Sequence, residues 1–296
     1  MGGKTCDENN SCQACEKTEQ CDQSEKDLHE RMMLDQRMSC IKYKFMVMSG
    51  KGGVGKSSVA TNLAVTLAMQ GHAVGLLDAD IHGPNIPKML GIENERPVPD
   101  GNGLQPITTV NGLKVISIGL FLKSQDDAVI WRGPLKHSLI KQFLGDVHWG
   151  NLDFLIIDLP PGTGDEALSV ANLLKGIDGA IIVTTPQDVA LLDSRKAVTF
   201  ARQLPIPLFG IVENMSGFVC PHCHESIDLF KKGGGEQAAR EMLVPFLGSI
   251  PLNPEMVNCG DAGKPIVLNT DQNDVIDAFN KIAENWLQLL KEKSAA

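Results

Sequence analysis

The chain has 296 residues, enough for one large α/β domain with a well-buried core. Its composition is that of an ordinary globular protein, and a formal charge of -9 leaves no basic footprint for nucleic acid. No run approaches the ~20 apolar residues of a membrane span and the N-terminus is polar rather than signal-like, so a cytoplasmic protein with no membrane or nucleic-acid partner is expected.

Residues 1–40 carry nine Asp or Glu against five Lys or Arg and almost no apolar residue before Leu28. Such a segment is expected to be a mobile tail unless a metal orders it, separate from a domain spanning 41–296. Cys6, Cys12, Cys15 and Cys21 crowd into this tail. In a reducing compartment they are expected to be ligands, redox thiols or core residues rather than disulfide partners. Cys6 stands where a myristoylation signal after Gly2 wants Ser or Thr, so no lipid anchor is expected. Cys40 and Cys259 stand alone and read as small buried side chains or idle thiols.

From residue 42 short apolar runs alternate with helical stretches. Strands are expected at 42–48, 73–77, 114–118, 154–157, 180–184, 208–212 and 246–250, and helices at 56–70, 135–144, 166–174, 189–203 and 235–243. This alternation implies β-α-β crossovers: an α/β fold with a mainly parallel sheet, helices on both faces, and ligands at the carboxyl ends of the strands. Residues 97–103, with two prolines and two glycines, read as a loop. The last segment places Val275, Phe279, Ile282, Trp286 and Leu289 on one helical face, which should dock on the core.

The first strand leads into Gly50, Lys51, Gly52, Gly53, Val54, Gly55, Lys56, Ser57 and Ser58, which fits the phosphate-binding pattern G-x-x-x-x-G-K-[ST]. Glycines let backbone N–H groups turn inward around a polyphosphate, and the following helix adds its positive end. Lys56 is expected to reach the β and γ phosphates of ATP and Ser57 to hold Mg²⁺. Asp158 ends the apolar run 154–157 and is the candidate second Mg²⁺ residue, followed by Pro160-Pro161-Gly162-Thr163-Gly164-Asp165, a loop able to sense the γ-phosphate. Asp78 and Asp80 follow the second strand as a pair of carboxylates near the metal, with Asp80 the candidate for orienting the attacking water. Lys51 is an unusual second lysine, suited to a neighbour's nucleotide or else to solvent.

Cys220-Pro221-His222-Cys223 is a C-x-x-C with several possible occupants. An iron-sulfur cluster wants four thiolates, of which one such motif offers two and a two-fold axis the rest. Zinc with a histidine or partner thiols, or a redox dithiol, uses the same residues. A redox dithiol usually opens a helix, whereas residues 225–228 read as loop.

Gly50 to Ser58 with the extra Lys51 resembles the deviant Walker A group that contains MinD, ParA and the nitrogenase iron protein. Together with residues 78–87, 131–134, 158–165, Glu213-Asn214-Met215 and the C-x-x-C, the chain from about residue 41 resembles the Mrp branch, the iron-sulfur carrier ATPases. The resemblance implies a homodimer with two ATP sites at its interface, Lys51 on the partner's phosphates, Asn214 at the adenine, and a [4Fe-4S] cluster bridged by Cys220 and Cys223. Cys12-x2-Cys15-x5-Cys21 resembles the cluster motif of scaffold-type members, from which the short spacing to Cys6 departs. The function implied is a Mg²⁺-dependent ATPase that assembles or carries [4Fe-4S] clusters for apo iron-sulfur proteins. A placement ATPase of the MinD or ParA kind predicts a basic surface the sequence lacks, and an ATP-gated electron donor predicts cluster cysteines in separate segments.

Overall fold

The computed structural model describes residues 23–101, 103–122, 133–174, 176–204, 206–220, 222–223, 225–270 and 273–295. Cys6, Cys12, Cys15 and Cys21 lie outside these residues, as do Trp131 and Arg132.

The described residues begin with helix α1 (Gln23–Ser39), so the expectation of a mobile segment up to residue 40 is corrected for this stretch. The net charge of residues 1–40 masks a local apolar set: Met33, Leu34 and Met38 are buried. They pack toward α4 (Gly133–Gly145), where Arg37 Nε donates to Gly145 O at 2.9 Å and Lys141 pairs with Glu30 at 2.5 Å. Leu34 is 1% exposed. Leu34→Ala should therefore cost about 2–5 kcal/mol in urea unfolding. A cost near zero would mean that α1 does not dock.

The central order is β1 (Ile41–Met48), α2 (Lys56–Met69), β2 (Val74–Asp78), α3 (Ile86–Met89), a hairpin of β3 (Val98–Asp100) and β4 (Gly103–Gln105), then β5 (Ile107–Thr108) and β6 (Lys114–Ser117). After α4 come β7 (Leu152–Asp158), α5 (Asp165–Leu173), β8 (Gly179–Thr184), α6 (Asp188–Gln203) and β9 (Leu208–Glu213). The chain closes with a hairpin of β10 (Phe218–Val219) and β11 (Ser226–Ile227), α7 (Gly234–Glu241), β12 (Phe246–Ser249), α8 (Pro254–Asp261) and α9 (Asp274–Ala295). The main sheet runs β12-β9-β8-β1-β7-β2-β6-β5, parallel except for the β5–β6 pair.

Alternate residues of β1 feed two cores: Phe45 and Val47 on one face, Met46 and Met48 on the other, all fully buried. On the first face α2 is buried nearly all round, as befits a helix enclosed between the sheet and α9. Val275, Phe279, Ile282 and Trp286 of α9 are fully buried as expected, with Leu289 partly so. Trp286 meets Phe45 edge-on at 4.6 Å between ring centroids. Among the described residues no helix is long and apolar enough to cross a membrane.

Three local expectations need correction. Residues 97–103 are not all loop, because Val98 and Asp100 pair with Gln105 and Gly103 in a two-stranded ribbon. There Pro99 removes no donor from a central ladder. Strand β6 stops at Ser117, whose hydroxyl accepts the Gly119 N–H and opens a 3-10 turn over Ile118–Phe121. Residues Ser226–Ile227, expected as loop, form β11, paired with β10 through Phe218–Ile227 and Val219–Ser226.

Candidate functional site

Parallel pairing aligns the carboxyl ends of β1, β7 and β2, with Val47 and Asp78 both in register with Asp158. Strand β1 lies between β7 and β8, so the connection to β2 leaves on one side and the β7–β8 crossover returns on the other. Such a reversal is where open α/β sheets form their ligand crevices.

Residues 49–55 cross this edge between β1 and α2. Gly50 is demanded by close approach: a Cβ there would lie 2.1 Å from the Asp193 carbonyl carbon on α6. Gly55 has φ +79°, the left-handed region, and a Cβ there would lie 2.3 Å from Asn214 Nδ2. Gly53 shares the positive φ, Gly52 lies below Pro161, and Val54 is buried. Lys56 and Ser57 then open α2.

Asp158 is fully buried and collects both of these residues. Lys56 Nζ lies 2.7 Å from Oδ1 and the Ser57 hydroxyl donates to Oδ2 at 2.5 Å. Burial pushes the Asp158 carboxyl up, and the Lys56 ammonium pulls in the other direction. The cluster brings one carboxylate, one ammonium and one hydroxyl to the point where the phosphate loop meets the sheet. Gly162 N donates to Ser49 O at 2.9 Å, which ties the 160–165 loop to the phosphate loop.

Asp78 and Asp80 do not act as the pair expected from sequence. Asp78 points into the sheet, accepts the Ser117 hydroxyl at 2.8 Å and the Asp80 N–H at 3.1 Å, and is 1% exposed. Burial first, and then Asp158, push its carboxyl up to about 8. Asp78 therefore shapes the turn, while Asp80 Oδ1 accepts the Gly83 N–H at 3.2 Å. Lys51 is partly exposed and has no ion-pair partner among the described residues.

A cavity of about 260 Å³ opens beside the phosphate loop. Gly55 and Ser58 form one wall, Asn214 and Met215 another, and Leu252 and Met256 a third. Asn214 is buried and its amide donates to Val54 O at 2.9 Å. Helix α8, which supplies Met256, was not foreseen. Its signal was present in Asn253-Pro254, where the Asn253 side chain accepts the Glu255 N–H at 2.9 Å and Pro254 takes the first turn.

Two further features have contacts that no local sequence pattern shows. Lys136 on α4 joins His82, beyond Asp80, to Glu166 at the start of α5, at 2.6 Å to each. Burial alone would raise the Glu166 carboxyl, but the Lys136 hydrogen bond and charge outweigh it and hold it low. Glu213, at the end of β9, is fully buried.

Cys220 and Cys223 sit at the tip of the β10–β11 hairpin, Cys220 partly exposed and Cys223 exposed. Cys220 N donates to Glu225 O at 3.0 Å. The backbone N–H groups of Cys223 and His222, and then the Cys223 thiol, hold the Cys220 thiol below its ordinary value. N–H groups aimed at sulfur favour a thiolate, the form that ligates a metal. Among the described residues no three His, Cys, Asp or Glu side chains converge to hold a metal ion. Cys220 and Cys223 are thus a pair of thiols on a strand hairpin rather than at a helix start. Cys40, expected as buried or idle, is exposed at the end of α1.

A family model described as the NUBPL iron-transfer P-loop NTPase, within ParA, matches residues 40–287. An "Iron-sulfur cluster carrier protein" of Methanococcus maripaludis is 49% identical over 284 residues, covering 96% of this chain and 98% of the relative. A "Cytosolic Fe-S cluster assembly factor NUBP2 homolog" of Nematostella vectensis is 49% identical over 255 residues, covering 85% of this chain and 94% of the relative. Among solved structures, a nucleotide-binding protein of Archaeoglobus fulgidus in complex with ADP superposes with a TM-score of 0.73 at 40% identity. It covers 84% of this chain and 96% of that one.

Proposed function

The chain belongs to the family of NUBPL iron-transfer P-loop NTPases, and on that premise we propose that it is a Mg²⁺-dependent ATPase that works as a homodimer, carries a [4Fe-4S] cluster and delivers it to apo iron-sulfur proteins. The observation that carries this reading is the exposed half set of Cys220 and Cys223 on a hairpin whose root adjoins the cavity of a phosphate-binding loop. One chain offers two thiolates, and a two-fold axis supplies the other two that a cluster requires.

The positions of the described residues support the roles proposed for them. Backbone N–H groups of residues 50–58 and the Lys56 ammonium hold the β and γ phosphates, and the cavity walled by Asn214 takes the adenine. Ser57 and Asp158 fit a hard cation, since their oxygens already meet in a buried site whose resident positive charge is Lys56. When bound, Mg²⁺ neutralises charge on the phosphate oxygens. Asp80 orients the attacking water and Lys51 reaches the partner's phosphates. Cys6, Cys12, Cys15 and Cys21 hold a second cluster within one chain. The name of the Nematostella relative supports a cytoplasmic setting.

Lys51 acting in trans leads to a distinctive mixing result. Lys51→Ala chains combined with Lys56→Ala chains give heterodimers with one site lacking both lysines and one retaining both. Random pairing should restore up to about a quarter of wild-type turnover. No recovery in dimers that do form would exclude the trans role of Lys51 or the independence of the two sites.

Anaerobic purification followed by iron, sulfide and zinc analysis tests the proposal as a whole. A carrier should yield about four iron and four sulfide per bridging cluster. Zinc without sulfide would replace the cluster reading with a structural zinc site.

A further inference from the structure

Glu213 is a fully buried carboxylate with no ion-pair partner among the described residues. Such a group is costly unless its oxygens are filled, and here three neutral donors fill them. The Ser216 hydroxyl donates at 2.5 Å, Gly233 N at 2.9 Å, and Gly235 N also donates to it. The donors come from both ends of one excursion: Ser216 precedes β10, whereas Gly233 and Gly235 follow β11 and open α7. One carboxylate therefore closes the base of the hairpin whose tip carries Cys220 and Cys223.

The same base is a wall of the nucleotide cavity. Asn214, next in the chain, donates to Val54 O of the phosphate loop and lines the cavity with Met215. Met215 has φ +57°, a conformation uncommon outside glycine, and reverses the chain between the cavity wall and Ser216. Leu252, also on the wall, donates its N–H to Gly217 O at 2.9 Å. Any change in the position of the phosphate loop that moves Asn214 acts on a segment pinned within one residue by Glu213.

We propose that Glu213 is a positioning residue that transmits occupancy of the nucleotide cavity to the Cys220–Cys223 pair, so that a bound nucleoside diphosphate changes the exposure of the two thiols. The inference rests on the cavity being the nucleotide site and deepens the carrier reading by naming how one site informs the other. Lys231, which pairs with Asp188 of α6 at 2.5 Å, is a second tether at the hairpin's root, but it is solvent-exposed and correspondingly weak.

The test uses the full chain, reduced and free of metal, so that it does not depend on a cluster. Alkylation rates of Cys220 and Cys223 are followed by site-resolved peptide mass spectrometry with and without ADP. Protein concentration is chosen so that sedimentation gives the same mass in both conditions, and ADP binding is measured separately by equilibrium dialysis. In the wild type ADP should change the rates severalfold. Glu213→Gln, which keeps the shape and loses the charge, should bind ADP with little change yet show a ratio near one. Ser216→Ala, which keeps the carboxylate and two of its three donors, serves if Glu213→Gln does not fold, and should show a reduced ratio. A folded Glu213→Gln protein, or a Ser216→Ala protein used in its place, with the full wild-type response would overturn the proposal. So would a wild type that binds ADP without any response. Failure of the wild type to bind ADP would overturn both this inference and the assignment of the nucleotide site.

Discussion

Lys56→Ala should lower ATP turnover by ~10²–10³-fold, the scale set by removing one preorganised charge from a developing transition-state charge. It should also weaken the fold. Lys56 is 6% exposed and its ammonium lies 2.7 Å from Asp158, which is fully buried, so truncation leaves a carboxylate in the sheet without its cation. Breaking a buried pair from one side costs about 3–5 kcal/mol, whereas removing both charges is far less disruptive. Adding Asp158→Asn to Lys56→Ala should therefore recover most of the lost stability in urea unfolding while turnover stays low. Full turnover in the single variant would remove the phosphate site from the account. Equal stability losses in the single and double variants would show that the ion pair does not support the fold.

Much of this site is legible in the sequence because the phosphate loop and its flanking strand and helix are local features, each set by residues adjacent in the chain. The seven core strands and the terminal docking helix are likewise visible, since buried parallel strands read as unbroken apolar runs and α9 as a stripe. What escapes is set at a distance. Asp78 looks like a partner for Asp80, but strand pairing puts Ser117 against it and turns it inward. Glu213 belongs to a motif the sequence shows, but the donors that fill its carboxylate lie up to 22 residues away. Helix α1 hides in an acidic segment because three buried side chains barely alter the composition of forty residues. The cavity wall built from α8 brings residues near 256 to Gly55, a juxtaposition no local pattern carries.

The two cysteine groups should behave as separate sites. Cys220 and Cys223 stand exposed on a hairpin anchored to the sheet, and in the proposed reading they provide half a ligand set, so a cluster there would exist only while two chains are paired and would be open to an acceptor. In the proposed reading Cys6, Cys12, Cys15 and Cys21 provide a full set in one chain, which would make a cluster there independent of pairing and harder to lose. A deletion that separates them must stop at residue 22, because removing α1 as well strips Met33, Leu34 and Met38 from the core. Deleting residues 1–22 should lower iron per dimer and leave the bridging cluster, whereas Cys220→Ala with Cys223→Ala should keep tail iron and lose the labile cluster. The most direct measurement is cluster transfer from each anaerobically reconstituted protein to an apo-acceptor, followed by the acceptor's recovered activity. The account predicts transfer at close to the wild-type rate after the deletion and none from the double cysteine variant. Wild-type transfer from the double variant would contradict it.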